Sequence, residues 1–291
     1  MTPIDWIALD WGTSNLRAWA MSKTGEILDH RNSDQGMAQL EPHQFEPALR
    51  ALIEGWDSAE IIACGMIGAK QGWCEAPYRM TPCAPLDATL IKAPATDLNV
   101  QIISGLAQKN PSDVMRGEET QIAGYLLENP DFDGILCLPG THTKWVQISA
   151  KEVVSFTTYM SGELFALLSD HSTLRHSIDH EGWDEDAFQT ALSDAISKPQ
   201  YLASRLFSIR AETLLNNLPA ETARARLSGA LIGIELAAAR PYWLGQNITI
   251  IGDGNVSNLY ATALKEQGLS PTIKPVEAMT LKGLTAAKEA L

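Results

Sequence analysis

The chain has 291 residues, 45% of them hydrophobic and 20% charged, and carries a formal net charge of −13. So acidic a chain is poorly suited to nucleic acid or to acidic membrane surfaces, both of which select clustered Lys and Arg. No stretch approaches 18 apolar residues, and no basic start with a long apolar run follows Met1. Neither a membrane span nor a secretory leader is therefore expected. The length suits two domains or one large one. Cys64, Cys74, Cys83 and Cys137 show no CxxC spacing, which points to thiols in a reducing cytoplasm. The oligomeric state stays open, a homo-oligomer included.

In chain order, the first element is a hairpin over residues 7–21, IALDWGTSNLRAWAM. An apolar strand delivers one acid, Asp10, into the turn Gly12-Thr13-Ser14-Asn15. Successive amides and hydroxyls there can form an anion-binding concavity, and an acid at its lip suits Mg²⁺ held through water. The alternative is a plain hairpin with Asp10 capping its turn. A third strand begins at Glu26, residues 42–56 predict an amphipathic helix, and residues 61–64 predict a buried strand.

Residues 65–85, GMIGAKQGWCEAPYRMTPCAP, form a long aromatic loop. Lys70, Gln71, Trp73, Glu75, Tyr78 and Arg79 offer it polar groups and flat surfaces for a ligand; a structural crossover is the other reading. A strand follows near residues 99–103. Residues 112–130 lead into a helix with Glu118 and Glu119 in its first turn. Those acids either complement the helix dipole or supply a general base, and adjacent helix positions point about 100° apart, so one of the two would face the chemistry.

The opening pattern recurs at residues 134–158, GILCLPGTHTKWVQISAKEVVSFTT, with Gly140-Thr141 standing 128 positions after Gly12-Thr13. That period is too long for a solenoid, so the repeat predicts a duplicated domain with two phosphate-friendly loops. Thr143 completes the second loop, Lys144 after it could meet a transferring phosphate, and His142 could meet phosphate or solvent. Ser161 precedes a helix predicted over 164–169 and either binds a ligand or caps it. His171, His176 and His180 lie in an acidic, solvated connection rather than a metal set. Residues 186–218 read as helical. In the apolar helix 226–240, Gly229 and Gly233 share a face that admits another backbone or a flat ring. A last strand, 247–251, enters the turn Gly252-Asp253-Gly254 before a helix over 256–263, and a closing helix spans 280–291. The absence of GxxxxGK[ST] argues against a P-loop.

Two hairpin loops and a late glycine turn resemble the actin, sugar kinase and Hsp70 superfamily. Within it the chain is most similar to the 2-dehydro-3-deoxygalactonokinases, through DWGTSNLRAW, GMIGAKQGWCEAPY, RGEETQIAG, LPGTHTKWV, YMSGELFALL and LSGALIGIEL in order. Ala69-Lys70 stands where that family suggests Ser-Arg, and Asp253-Gly254 where it suggests Ser or Pro types.

The resemblance implies an α/β fold of two duplicated actin-like (ribonuclease H-like) domains with a central cleft. Residues 1–115 would form the sugar-acid side and residues 116–291 the nucleotide side, with the closing helix able to pack back on the first. It implies a cytoplasmic kinase with ATP and Mg²⁺ as cofactors, phosphorylating the C6 hydroxyl of 2-dehydro-3-deoxy-D-galactonate. Asp10, Gly12, Thr13, Ser14, Gly140, Thr141, His142 and Thr143 would then serve phosphate, and Gly229, Gly233, Gly252 and Gly254 the nucleoside. Mg²⁺ would lie near Asp10, and Lys144 would help neutralise the phosphates. Glu118, ahead of Glu119, would be the base. Lys70 or Arg79 would meet the substrate carboxylate, with Gln71, Trp73, Glu75, Tyr78 and Ser161 as further contacts. Closure over the sugar acid is expected to exclude water. A kinase of another sugar or sugar acid, a phosphoanhydride hydrolase, and a non-catalytic nucleotide or sugar sensor are the rival expectations.

Overall fold

The computed structural model describes residues 3–56, 60–94, 96–179 and 181–291. In chain order the first half holds β1 (Trp6–Trp11), β2 (Leu16–Met21), β3 (Ile27–Ser33), α1 (Phe45–Leu52), β4 (Ile61–Gly65), β5 (Arg79–Met80), β6 (Ile91–Lys92), β7 (Val100–Ile102), β8 (Leu106–Lys109), β9 (Ser112–Met115) and α2 (Glu118–Glu128). The second half holds β10 (Gly134–Leu138), β11 (Thr143–Ser149), β12 (Glu152–Tyr159), α3 (Ser161–His171), α4 (Glu185–Ser197), α5 (Leu202–Asn216), α6 (Ala220–Ala238), α7 (Arg240–Trp243), β13 (Ile248–Ile251), α8 (Gly254–Glu266), β14 (Thr272–Lys274) and α9 (Val276–Glu289).

Two compact units result. The first holds the described chain up to Asp133, the hairpin end Ile148–Ser155 and Pro275–Leu291; the second holds Gly134–Gln147 and Phe156–Lys274. Sheet order in the first unit is β3-β2-β1-β4-β7-β6, with β1 antiparallel to β2 and parallel to β4. The sheet of β10 to β14 runs β12-β11-β10-β13-β14, again a hairpin-linked triplet followed by two crossover strands. The first five positions of the two sheets share this order, in line with the repeat, and β6 extends the first sheet antiparallel to β7.

Period-two alternation along β1 explains how the first sheet is covered on both faces. Ile7, Leu9 and Trp11 join a core with Phe45 and Leu49 of α1. Trp6 and Ala8 point the other way, into a core with Leu284 and Ala287 of α9. In the second unit, α6 is buried nearly all round and packs along α4. Ile135, Ile232, Ile250 and Leu264 fill the core beneath it.

Several predicted boundaries move. The helix expected over 42–56 is α helical only at Phe45–Leu52, with a 3-10 turn at Pro42–Gln44 before it and Gly55 in the left-handed region after it. The stretch 186–218 is two helices, because Pro199 lacks an amide donor and opens a 3-10 turn between them. The strand at 248–251 is not the last; β14 pairs parallel to it. A small sheet of β5, β8 and β9, absent from the sequence reading, branches off the 65–85 loop. Its strands run two to four residues, too short for a periodic signal. No helix among the described residues is long and apolar enough to cross a membrane.

The hairpin turns after β2 and β11 match in place but differ in kind. In the first, the Ser22 hydroxyl accepts from the amides of Thr24 and Glu26, and Gly25 takes φ +83°. In the second, Ala150 and Lys151 take φ 50° and 67°, a conformation that Asn-Gly adopts far more cheaply. Replacing Ala150-Lys151 by Asn-Gly is expected to raise unfolding stability by about 1 kcal/mol, read by urea denaturation.

Candidate active site

The same alternation that buries Trp6 and Ala8 puts Asp10 on the α9 face, at the end of β1. Register pairs it with Arg17 of β2, whose guanidinium donates to Asp10 Oδ2 at 2.5 Å. The Cys64 thiol at the end of β4 lies 3.7 Å from Oδ1. Beyond Asp10 the loop closes through Gly12 N–H donating to the Asn15 carbonyl at 2.8 Å. The amides of Met37 and Ala38 donate to the carbonyls of Gly12 and Thr13, both at 3.0 Å. Gly36 makes this approach possible, since a Cβ there would stand 2.3 Å from the Thr13 carbonyl oxygen. Thr13 and Ser14 remain exposed.

Glu118 and Glu119 open α2 with different surroundings. Glu118 is half-buried, and one carboxylate oxygen accepts the Arg116 amide at 3.0 Å. Glu119 is fully buried, accepting the Gly117 amide at 2.7 Å and the Thr120 hydroxyl at 3.0 Å. Burial, reinforced by the charge of Glu118, pushes the Glu119 carboxyl from 4.5 up to about 7. Glu119 is thus enclosed, whereas Glu118 keeps accessible surface.

The 65–85 loop divides its predicted contacts. Lys70, Gln71 and Glu75 are exposed. Trp73 packs partly against the first core. Arg79 does not fit the role of carboxylate partner: it donates to the carbonyls of Ala84 and Pro85 and pairs with Asp87 at 3.6 Å, so its donors stabilise its own loop. Tyr78 lies under Arg116, whose guanidinium carbon is 4.4 Å from the ring centroid. Arg116, which the sequence reading passed over, is 9% exposed and donates to the Ala76 carbonyl at 2.7 Å. It thereby ties this loop to the residue two before Glu118. Its signal was an arginine next to the Gly-Glu-Glu helix start, and sequence alone does not show that it is buried.

In the second unit, Gly140, Thr141 and His142 are exposed, and His142 pairs with Glu163 at 2.7 Å. Thr143 and Lys144 are buried. The Lys144 ammonium turns back to donate to the His142 carbonyl at 3.3 Å, which puts its charge beneath the loop. Glu163 N–H donates to the Thr141 carbonyl at 2.9 Å. A Cβ on Gly162 would stand 2.3 Å from the Gly140 carbonyl oxygen, so α3 begins against the loop.

Loop and helix start open on a cavity of about 850 Å³. Gly140, Thr141, Ser161 and Gly162 contribute polar backbone and a hydroxyl; Phe165, Leu231 and Leu259 contribute apolar wall; Trp183, Asn255 and Asn258 complete it. A helix N-terminus and an amide-rich loop attract anions, and the volume suits a nucleotide-sized ligand. Ser161, expected among sugar-acid contacts, lines this cavity instead.

Gly229 and Gly233 face away from it. A Cβ at Gly229 would lie 2.4 Å from the Phe188 carbonyl oxygen, and one at Gly233 2.6 Å from the Ala195 Cβ. Their expected nucleoside contact is corrected to close packing of α6 on α4, while Ser228, Leu231 and Ile232 of the same helix reach the cavity. Gly252 and Gly254 shape the turn ahead of Asn255, Asn258 and Tyr260, which line it.

No group of three or more His, Cys, Asp and Glu among the described residues is arranged to hold a metal; His180 lies outside them. Asp10 stands as a single acid with one oxygen on Arg17, a donor set that fits a cation held through water but not a direct protein cage.

Comparison with known proteins gives concordant matches. The family model described as 2-keto-3-deoxy-galactonokinase matches residues 10–287. A Rhizobium meliloti (strain 1021) protein named as a probable 2-dehydro-3-deoxygalactonokinase is 38% identical, over 98% of this chain and 96% of its own. The 2-dehydro-3-deoxygalactonokinase of Escherichia coli (strain K12) is 34% identical, over 92% and 91%. A Sinorhizobium meliloti crystal structure assigned to the same activity superposes with a TM-score of 0.92 at 37% identity, covering 98% and 96%. The activator of 2-hydroxyisocaproyl-CoA dehydratase from Clostridium difficile, at 12% identity and a TM-score of 0.56 over 98% and 94%, shares the fold alone. That fold is the α/β, actin-like one.

Two outcomes follow from burial. Between pH 4.5 and about 7 the unfolded chain has released a proton that folded Glu119 retains, so stability falls as pH rises through that window. Glu119→Gln is expected to flatten this slope, removing a change on the order of 3 kcal/mol, measured by denaturation at pH 5 and pH 8. Gly229→Ala is expected to cost about 1–3 kcal/mol by overpacking yet leave the KM for ATP within twofold. A large KM change at unaltered stability would return Gly229 to the nucleotide.

Proposed function

This chain belongs to the 2-keto-3-deoxy-galactonokinase family and is a kinase of that sugar acid; we propose that it transfers the γ-phosphoryl group of ATP to the C6 hydroxyl, giving the 6-phosphate and ADP. The cavity walled by the Gly140-Thr141 loop and the first turn of α3 carries this reading. Its amides and helix dipole suit a polyphosphate, and its apolar wall suits a purine. Mg²⁺ enters with the nucleotide and, when bound, neutralises phosphate charge; Asp10, one acid at the lip of the first loop, fits an ion held through water.

Phosphoryl transfer needs positioning and charge stabilisation more than covalent help from protein. Glu118 takes the proton of the C6 hydroxyl as its oxygen bonds to the γ-phosphorus and the bond to the ADP oxygen breaks. The Arg116 amide fixes the orientation of that carboxylate. Lys144 supports the second loop from beneath and contributes positive charge there. Lys70, exposed on the 65–85 loop, is the cation left for the substrate carboxylate once Arg79 is committed elsewhere. Four free cysteines fit a cytoplasmic setting.

A coupled ADP-release assay with Mg-ATP tests the reading, using 2-dehydro-3-deoxygalactonate, its gluconate epimer and no sugar. Turnover is expected with the galactonate form and little ADP without sugar; equal ADP release in all three arms rejects it. Glu118→Gln is expected to lower kcat by about 10²- to 10⁴-fold with folding intact. A variant that keeps wild-type kcat removes Glu118 as the base.

A further inference from the structure

Glu235 is a carboxylate set into the most buried helix of the second unit, 1% exposed on α6. Trp145 Nε1 donates to its Oε1 at 2.8 Å, and the Tyr260 hydroxyl donates to Oε2 at 2.8 Å. The Ser161 side chain hydrogen-bonds it as well. With the Tyr260 proton on Glu235, the Tyr260 oxygen accepts from the Thr143 hydroxyl, 3.0 Å away.

These partners come from separate elements. Thr143 and Trp145 belong to β11 as it leaves the Gly140-Thr141 loop, Ser161 is the first residue of α3, and Tyr260 lies on α8. Gly140, Thr141, Ser161 and Tyr260 all line the 850 Å³ cavity. Helix packing alone would be served by leucine at 235. A carboxylate is costly in such a place unless its lone pairs are used, and removing it leaves the donors buried without acceptors. The cost therefore accompanies a gain in geometry: one residue fixes the loop end, the helix start and the α8 wall together.

We propose that Glu235 is a positioning residue for the nucleotide, joining the three walls of its cavity through Trp145, Ser161 and Tyr260. This rests on the reading of that cavity as the nucleotide site. The role is selective: nucleotide affinity depends on it, and affinity for the sugar acid does not.

The test uses the full chain, with ADP binding by titration calorimetry and initial rates against ATP and against sugar acid. Glu235→Leu is expected to raise the Kd for ADP and the KM for ATP tenfold or more, with the sugar-acid KM within twofold. Glu235→Gln can accept from Trp145 while Tyr260 turns to donate to Thr143, and it should return both nucleotide constants to within threefold. Wild-type ADP affinity in Glu235→Leu, or equal loss toward both substrates, overturns the proposal. If Glu235→Leu fails to fold, Tyr260→Phe decides: it cuts the links to Glu235 and Thr143 and should weaken ADP at least threefold, and no change overturns the proposal. Val256→Trp, which fills the cavity edge, separates the two ideas. Unchanged ADP binding there rejects the nucleotide reading itself. Lost binding there, with Glu235→Leu unaffected, rejects the role of Glu235 alone.

Discussion

Each Gly-Thr loop in this chain is held by backbone amides that occupy its carbonyl oxygens. Met37 and Ala38 do this for Gly12 and Thr13, and Glu163 does it for Thr141. In both cases a glycine lets the donating segment come close, Gly36 in one unit and Gly162 in the other. Carbonyls engaged in this way are not lone pairs turned toward an incoming phosphate. Each loop is thus held in one backbone conformation by its own neighbours, with its carbonyl oxygens already engaged.

Burial then distributes the chemistry among residues that look equivalent in sequence. Glu118 and Glu119 are neighbours with the same side chain, yet one keeps access to solvent and the other is enclosed with its carboxyl pushed up to about 7. Lys70 and Arg79 are both loop cations, yet the terminal nitrogens of Arg79 donate to the carbonyls of Ala84 and Pro85, and its charge pairs with Asp87. Lys144 is buried under its loop, where its ammonium donates to the His142 carbonyl.

The fold was legible because its signals are periodic. The apolar runs of β1 and β4 and the 128-residue spacing of the Gly-Thr loops are visible in the sequence itself. The second loop was legible from the repeat, whereas the preference for Glu118 over Glu119 came from the resemblance to related sugar kinases. What was hidden depends on distant partners. Gly229 and Gly233 share a helix face whose partner, α4, is known only once the chain is folded. Ser161 reads equally as a ligand contact or a cap until Gly140 and Tyr260 are placed beside it at one cavity. Nothing local shows that Arg116 or Glu235 is buried, since a charged residue in a helical or strand-end pattern ordinarily faces water.

The duplication also shows how one scaffold came to hold unlike sites. The spacing that aligns Gly12 with Gly140 places Leu138 and Trp145 where the first unit has Asp10 and Arg17. In the first unit an acid on β1 meets a cation across the hairpin, a pair formed within two adjacent strands. In the second the strand positions are apolar and aromatic, and the carboxylate comes from a helix instead, reached by the Trp145 indole. A charge at the loop suits an ion or a reacting group close by. A charge withdrawn to α6 and surrounded by donors stays out of the cavity while holding the strand that leaves the loop, through Trp145. The repeat therefore keeps the backbone device that holds each Gly-Thr loop and varies where the acid behind it stands.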